Sequence, residues 1–198
     1  MRALTLLVAL MAALMLAVPP SYAIPVPLSA TLSGPNEVPA VASPGTGQAF
    51  VILDAAAHTL LVNATFSGLV GTTTASHIHC CQPLGTNAIV ATTVPTFPGF
   101  PLGVTAGSYS HLFDLTDSGT YNPAFVTQFG GGTIPGAETA LVAGLLGGRS
   151  YFNIHTSFAP TGEIRGQLQV PDAASLLLLG SGLLGLGTTA AWRKRSRR

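Results

Sequence analysis

The feature that most limits how this chain folds is its series of short β-favouring runs, separated by glycine, proline and aspartate. From Leu60 to Phe66, large apolar residues alternate with smaller or polar ones, the period of two expected of a half-buried strand. We predict strands at Ser29–Leu32, Gly47–Leu53, Thr59–Phe66, Ala75–Cys81, Ala88–Thr93, Ser108–Leu115, Ser150–Thr156 and Glu163–Val170. This pattern favours an all-β sandwich with Greek-key connections. One helix is predicted near Pro135–Leu146, before Gly147.

The two ends of the chain differ from this pattern and predict export. Residues 1–23 combine a basic start, the apolar run Ala3–Val18 and small residues at Ser21 and Ala23, as in a removed secretory signal. Uncharged residues from Ala173 to Trp192 are enough to span a hydrocarbon core of about 30 Å. A basic cluster follows at 193–198, which is expected to stay on the cytoplasmic side of the membrane. We therefore predict a signal peptide at 1–23, one domain at 24–170, and a transmembrane anchor with a basic tail at 171–198.

The predicted domain is acidic and contains few charges. Residues 24–172 contain two arginines, seven carboxylates and no lysine, which gives a net charge of −5. Such a surface lacks the basic patch that binds phosphate backbones, so we expect no nucleic-acid partner. The arginines Arg149 and Arg165 are expected to pair with Glu37 or Glu163.

The chain has two cysteines, which are adjacent, at Cys80 and Cys81. Neighbouring cysteines lie outside the usual Cα separation of a structural disulfide. Free thiols, a bridge between the two neighbours, an intermolecular bond and metal ligation all remain open.

Three motifs occur in order along the predicted domain. They read LSGPNEVP at 32–39, SHIHCC at 76–81, and YFNIHT at 151–156 followed by GEIRGQL at 162–168. Together they resemble the CHRD domain over about residues 28–170. The resemblance implies an extracellular, immunoglobulin-like β-sandwich and no characterised reaction. Within these motifs, we expect structural roles for Glu37, Asn153, Glu163 and Arg165.

The C-terminal segment resembles the PEP-CTERM sorting signal of exported bacterial proteins. Pro171, Asp172 and Ala173 stand where that family has Pro-Glu-Pro, so the acidic residue is kept and the second proline is missing. The resemblance implies processing by an exosortase-like enzyme. A plain membrane anchor fits the same residues. Either way, the domain is expected at the cell surface, in the outer envelope or in the extracellular matrix.

Histidines on two predicted strands suggest a metal site. On a strand, His77, His79 and Cys81 point to one face, and His155 lies on a later strand. Imidazole and thiolate ligands suit copper or zinc. Copper/zinc superoxide dismutase also has a His-x-His pair on a strand, which is an analogy of fold alone.

A second interpretation of the histidines needs no metal. In it, they form hydrogen bonds across the sheet, and Asn153, Glu163 and Arg165 extend a polar ladder.

No catalytic motif accompanies these residues. The sequence has no Gly-x-Ser-x-Gly elbow, no phosphate loop and no paired acids of a glycosidase. We therefore expect a non-enzymatic surface module without a cofactor, which binds an unidentified partner in the envelope or matrix. The alternative is an exported copper- or zinc-binding protein, with or without redox activity.

Overall fold

The computed structural model describes residues 24–171. This region has eight strands, two α-helices and two short 3-10 helices. The strands are β1 (Val26–Ser33), β2 (Thr46–Asp54), β3 (Thr59–Ser67), β4 (Thr73–Cys80), β5 (Ile89–Val90), β6 (Gly107–Asp114), β7 (Ser150–Thr156) and β8 (Ile164–Gln167). The helices are α1 (Pro123–Phe129) and α2 (Ile134–Leu146), and the 3-10 helices are Gly34–Asn36 and Ser118–Thr120.

The predictions for the two ends of the chain fall largely outside this region. The signal peptide at 1–23, and Asp172 and Ala173 with the apolar segment and basic tail that follow, all lie outside the described residues. Between residues 24 and 171, no helix is both long enough and apolar enough to cross a membrane.

The eight strands form one antiparallel sheet in the order β5-β4-β7-β8-β1-β2-β3-β6. The prediction of a mostly β, sandwich-like fold is confirmed, and the strands of this fold form one continuous sheet. Strand β1 is the reason, because it pairs with β2 along its length and with β8 at Ser33 opposite Arg165. The sheet is therefore continuous, and it curls around a single hydrophobic core.

Strand β3 shows how the sequence pattern produces this core. Leu60, Val62, Ala64 and Phe66 are buried, as their alternation with more polar neighbours predicted. The long segment at 92–107 contributes Phe97, which is fully buried, to this core. This segment therefore packs against the sheet and brings its backbone carbonyls close to β4.

Helix α2 closes the core beside the end of β4. The Thr133 side chain accepts a hydrogen bond from the Gly136 N–H and caps the helix, and Gly147 ends it. The sequence pattern alone did not determine two further features of the structure. Helix α1 was not predicted, and Cys80 and Cys81 form a disulfide with each other.

Candidate metal site

Polar side chains cover the outer face of β4, β7 and β8. The strand register places His77 opposite Asn153, and Asn153 opposite Arg165. All three side chains are buried, because the loops at 34–44 and 81–96 pack over this face. Alternate residues of the same strands, such as Ile78 and Phe152, point into the hydrophobic core. The predicted cross-strand ladder therefore includes Asn153 and Arg165.

Each of the three histidines donates a hydrogen bond to a backbone carbonyl. His77 Nε2–H donates to Pro95 O at 2.7 Å, and His79 Nδ1–H donates to Ala88 O at 2.9 Å. His155 Nδ1–H donates to Pro160 O at 2.9 Å. A carbonyl oxygen can only accept, so these contacts fix the tautomer of each neutral ring. The nitrogens left with a lone pair are His77 Nδ1, His79 Nε2 and His155 Nε2.

These histidines lie next to one another. One ring nitrogen from each of His77, His79 and His155 lies within 4.8 Å of the others. His77 Nδ1 and His155 Nε2 are 3.2 Å apart, and His79 Nε2 is buried without a hydrogen-bond partner. Three nitrogens bound to one ion at about 2.0 Å lie roughly 3.3–3.5 Å apart. The His77–His155 pair, at 3.2 Å, is close to this spacing, and a third nitrogen as far as 4.8 Å from the others has to approach by up to about 1.5 Å to reach it.

Burial keeps these rings neutral. Desolvation lowers the pKa of His77 to about 4, and the neighbouring His155 ring lowers it further, against the Pro95 hydrogen bond that raises it. Desolvation also lowers the pKa of His79 to about 4 and moves the pKa of His155 in the same direction. Neutral imidazole is the form that binds metals. The three rings are therefore in the ligating state at neutral pH.

An aromatic ring stacks on His79, and a guanidinium group lies against that aromatic ring. The Tyr151 ring stacks on His79 with ring centroids 4.7 Å apart, and the Arg165 guanidinium carbon lies 4.5 Å from the Tyr151 centroid. The Tyr151 hydroxyl accepts a hydrogen bond from the Ala88 N–H at 3.2 Å. Because Ala88 O holds His79 Nδ1–H, the same loop residue positions both rings.

Glu37 and Asn153 form a second polar pair on this face. Asn153 Nδ2 donates to Glu37 Oε2 at 3.4 Å, whereas Glu37 Oε1 and Asn153 Oδ1 are buried without partners. Both unpaired oxygens border Gly162, and they occupy the space that a side chain at this position would need. The φ of Gly162 is +131°, which also favours glycine. Desolvation raises the pKa of Glu37 to about 7, although the Arg165 charge and the Asn153 hydrogen bond oppose this. A protonated Glu37 carries a hydroxyl that can donate a hydrogen bond, whereas the ionised carboxylate can only accept.

Glu163 has a different environment. Its carboxylate accepts hydrogen bonds from the side chains of Ser43 and Thr156 and from the N–H groups of Val70 and Gly71, at 2.6–3.1 Å. Burial acts to raise the pKa of Glu163, but these four donors outweigh it and hold the pKa below its ordinary value. Through these hydrogen bonds, the ionised side chain stabilises the loops that border the site.

Two expectations about these residues are wrong. Cys81 does not lie with the histidines, since it is bonded to Cys80 and its Sγ lies 3.5 Å from Ala140 O of α2. Oxidation removes the thiolate that a metal would need. Neither arginine forms an ion pair with a carboxylate among residues 24–171. Arg165 donates to Asn36 O and Asn87 Oδ1, and Arg149 donates to Cys81 O.

The remaining histidines lie apart from the cluster. His58 contacts Glu138 at 2.7 Å, which is the one ion-pair contact among residues 24–171, and His111 packs against Phe113. The carbonyls of Ala88, Pro95 and Pro160 were missed by sequence reasoning. Every residue carries a carbonyl, so no sequence signal marks these three. Pro171, the first residue of the predicted sorting signal, is the last described residue.

Most of the chain matches the model of a known protein family. The family model of the CHRD domain matches residues 28–168. No curated protein and no solved structure matches the chain. The matched range contains all three clustered histidines and the Glu37–Asn153 pair.

Proposed function

The chain belongs to the CHRD domain family, and we propose that it is an exported β-domain that binds one copper or zinc ion through His77, His79 and His155. The family is one of extracellular or secreted β-domains, which supports the first part. The second part rests on the three ring nitrogens that lie within 4.8 Å of one another.

The tautomers supply the argument for a metal. His77 Nδ1 and His155 Nε2 face each other at 3.2 Å, and each ring has already donated its only proton to a carbonyl. Two acceptors at this distance repel unless a proton or a cation lies between them. Their lowered pKa values oppose a proton at neutral pH. A metal ion satisfies these two nitrogens and the unpartnered Nε2 of His79 together.

The alternative is that the histidines only complete polar contacts across the sheet. That arrangement accounts for the three N–H groups, which all have carbonyl partners. It leaves the three lone pairs without protein donors, which is costly for the buried Nε2 of His79. The metal-binding function therefore fits the geometry better.

The location of the protein is part of the proposal. A removed signal at residues 1–23 would export the chain, and the segment at 171–198 would hold it in a membrane until an exosortase-like enzyme processes the tail. The domain would then lie at the cell surface or in the extracellular matrix. There it would act by binding, with an extracellular or matrix partner, rather than by catalysing a reaction.

Metal content tests this proposal. We expect full-length protein, purified in mild detergent without chelators, to contain about one equivalent of copper or zinc by plasma mass spectrometry. The double variant His77→Ala/His79→Ala should contain none. The matched control His58→Asn/His111→Ala removes two histidines outside the cluster and should keep the metal. Metal-free wild type after incubation with either ion, or equal metal in all three proteins, would contradict the proposal.

A further inference from the structure

The surroundings of the three histidines also bear on the charge of the ion that they bind. We propose that the site selects monovalent copper over divalent zinc and divalent copper. This inference rests on the proposed metal site and adds the identity and oxidation state of the bound ion.

The ligands bring no negative charge to the ion. The three histidines are neutral in the tautomers fixed by Pro95, Ala88 and Pro160. Among the described residues, the group close enough to share one ion contains no carboxylate and no cysteine. A bound ion therefore keeps its full charge within the site.

The nearest carboxylates do not compensate for this charge. Glu163 is occupied by four hydrogen-bond donors from the neighbouring loops. Glu37 is paired with Asn153. Neither carboxylate is hydrogen-bonded to any of the three rings, whose partners are the Pro95, Ala88 and Pro160 carbonyls and, for His77 and His155, each other.

The charged side chain that does act on the site is positive. The Arg165 guanidinium carbon lies 4.5 Å from the Tyr151 ring centroid, and the Tyr151 ring stacks on His79, so this charge is one aromatic ring away from the ring that supplies Nε2. No carboxylate within residues 24–171 forms an ion pair with Arg165, which is bound instead by the neutral oxygens of Asn36 and Asn87. Repulsion from this charge is twice as large for a divalent ion as for a monovalent one.

Burial of the site also disfavours a divalent ion more than a monovalent one. His77 and His79 are 5% and 7% exposed, and the free Nε2 of His79 has no access to solvent. The cost of moving an ion out of water grows with the square of its charge, so it is about four times larger for a divalent ion. Divalent zinc in three-histidine sites also retains a water ligand, and divalent copper prefers tetragonal coordination. Monovalent copper is satisfied by three neutral nitrogens, which is the donor set found here.

The test is a competition between ions on the full-length protein. Monovalent copper is titrated anaerobically against a chromophoric copper(I) chelator, and zinc is titrated against a zinc-sensitive chromophore. We expect one equivalent of copper(I) to bind at least a thousandfold more tightly than zinc, and a hundredfold excess of zinc not to displace it. Copper(II) added to the protein should be reduced by ascorbate to a form without an electron paramagnetic resonance signal, and it should stay bound.

Variants of Arg165 test the electrostatic cause. Arg165→Gln removes the charge, whereas Arg165→Lys keeps the charge but disturbs the same hydrogen bonds. Because Coulomb energy is linear in ion charge, Arg165→Gln should raise the logarithm of the zinc affinity twice as much as that of the copper(I) affinity. Arg165→Lys should leave the ratio of the two affinities near its wild-type value. If neither variant folds, the competition on the wild-type protein decides alone.

The outcomes separate this inference from the proposed function. Displacement of copper(I) by equimolar zinc, or tighter binding of copper(II) than of copper(I), would overturn the selectivity and leave the metal site standing. Failure to bind any of the three ions would overturn both. An equal change of both affinities in the two Arg165 variants would refute the electrostatic argument.

Discussion

Glu37→Gln is expected to make the protein more stable than the wild type above neutral pH. In the fold, burial raises the pKa of Glu37 from 4.5 to about 7. The stability contributed by the protonated form is therefore complete below about pH 4.5 and is lost as the pH rises through about 7. Glutamine mimics the protonated form, since its amide is uncharged and can donate a hydrogen bond at any pH.

The size of the effect follows from the shift. A change from 4.5 to about 7 corresponds to about 3 kcal/mol. Partial solvent screening reduces the expected effect to about 1–3 kcal/mol. Urea unfolding of both proteins at pH 5 and pH 8 measures it, with Asp54→Asn as a control that removes a carboxylate from a turn. The wild type should lose about 1–3 kcal/mol relative to Glu37→Gln between the two pH values. If the difference between the two proteins does not change with pH, or changes in the opposite direction, Glu37 is ionised in the fold and the reasoning is wrong.

Three further results are expected from unfolding experiments. Gly144→Ala should lower the free energy of unfolding by about 1–3 kcal/mol in thermal melts, because its Cβ would meet the sulfur atoms of the disulfide; an unchanged or higher melting temperature would contradict this packing. Glu163→Gln should cost about 2–4 kcal/mol in urea unfolding at pH 7, because an amide cannot accept all four of the hydrogen bonds now made; a loss below 1 kcal/mol would show that these contacts matter little. In the metal-free protein, the lowered pKa values of His77 and His79 contribute stability that is present above about pH 6.5 and lost as the pH falls toward about 4. The wild type should therefore lose stability relative to His77→Ala/His79→Ala over this range, and curves that run parallel would exclude neutral buried rings.

The local pattern of the sequence predicted the strands well, because alternation reports directly which side chains are buried. Strand β3 and the helix that ends before Gly147 follow from such patterns. The same period of two places His77 and His79 on one face of β4. The approach of His155 depends on the pairing of β4 with β7, which are far apart in the sequence. Sequence reasoning nominated His155 from its motif, and the register of these strands brings it to the pair.

Features that depend on chain trajectory could not be predicted in this way. Strand β1 hydrogen-bonds on both sides, so the strands form one continuous curled sheet, and alternation alone does not reveal this connection. Cys81 follows the alternation of His77 and His79 in sequence, but β4 ends at Cys80 and the disulfide turns the sulfur toward α2. The carbonyls that fix the histidine tautomers belong to loops whose paths no local pattern encodes.

The central claim is that three imidazole nitrogens from His77, His79 and His155 bind one metal ion. X-ray absorption spectroscopy at the edge of the bound metal tests it directly on the loaded full-length protein. The bound ion should have three nitrogen neighbours at about 2.0 Å and no sulfur neighbour, and the spectrum should show the multiple scattering of imidazole rings. A first shell that contains sulfur at about 2.3 Å, or oxygen ligands without imidazole, would contradict it.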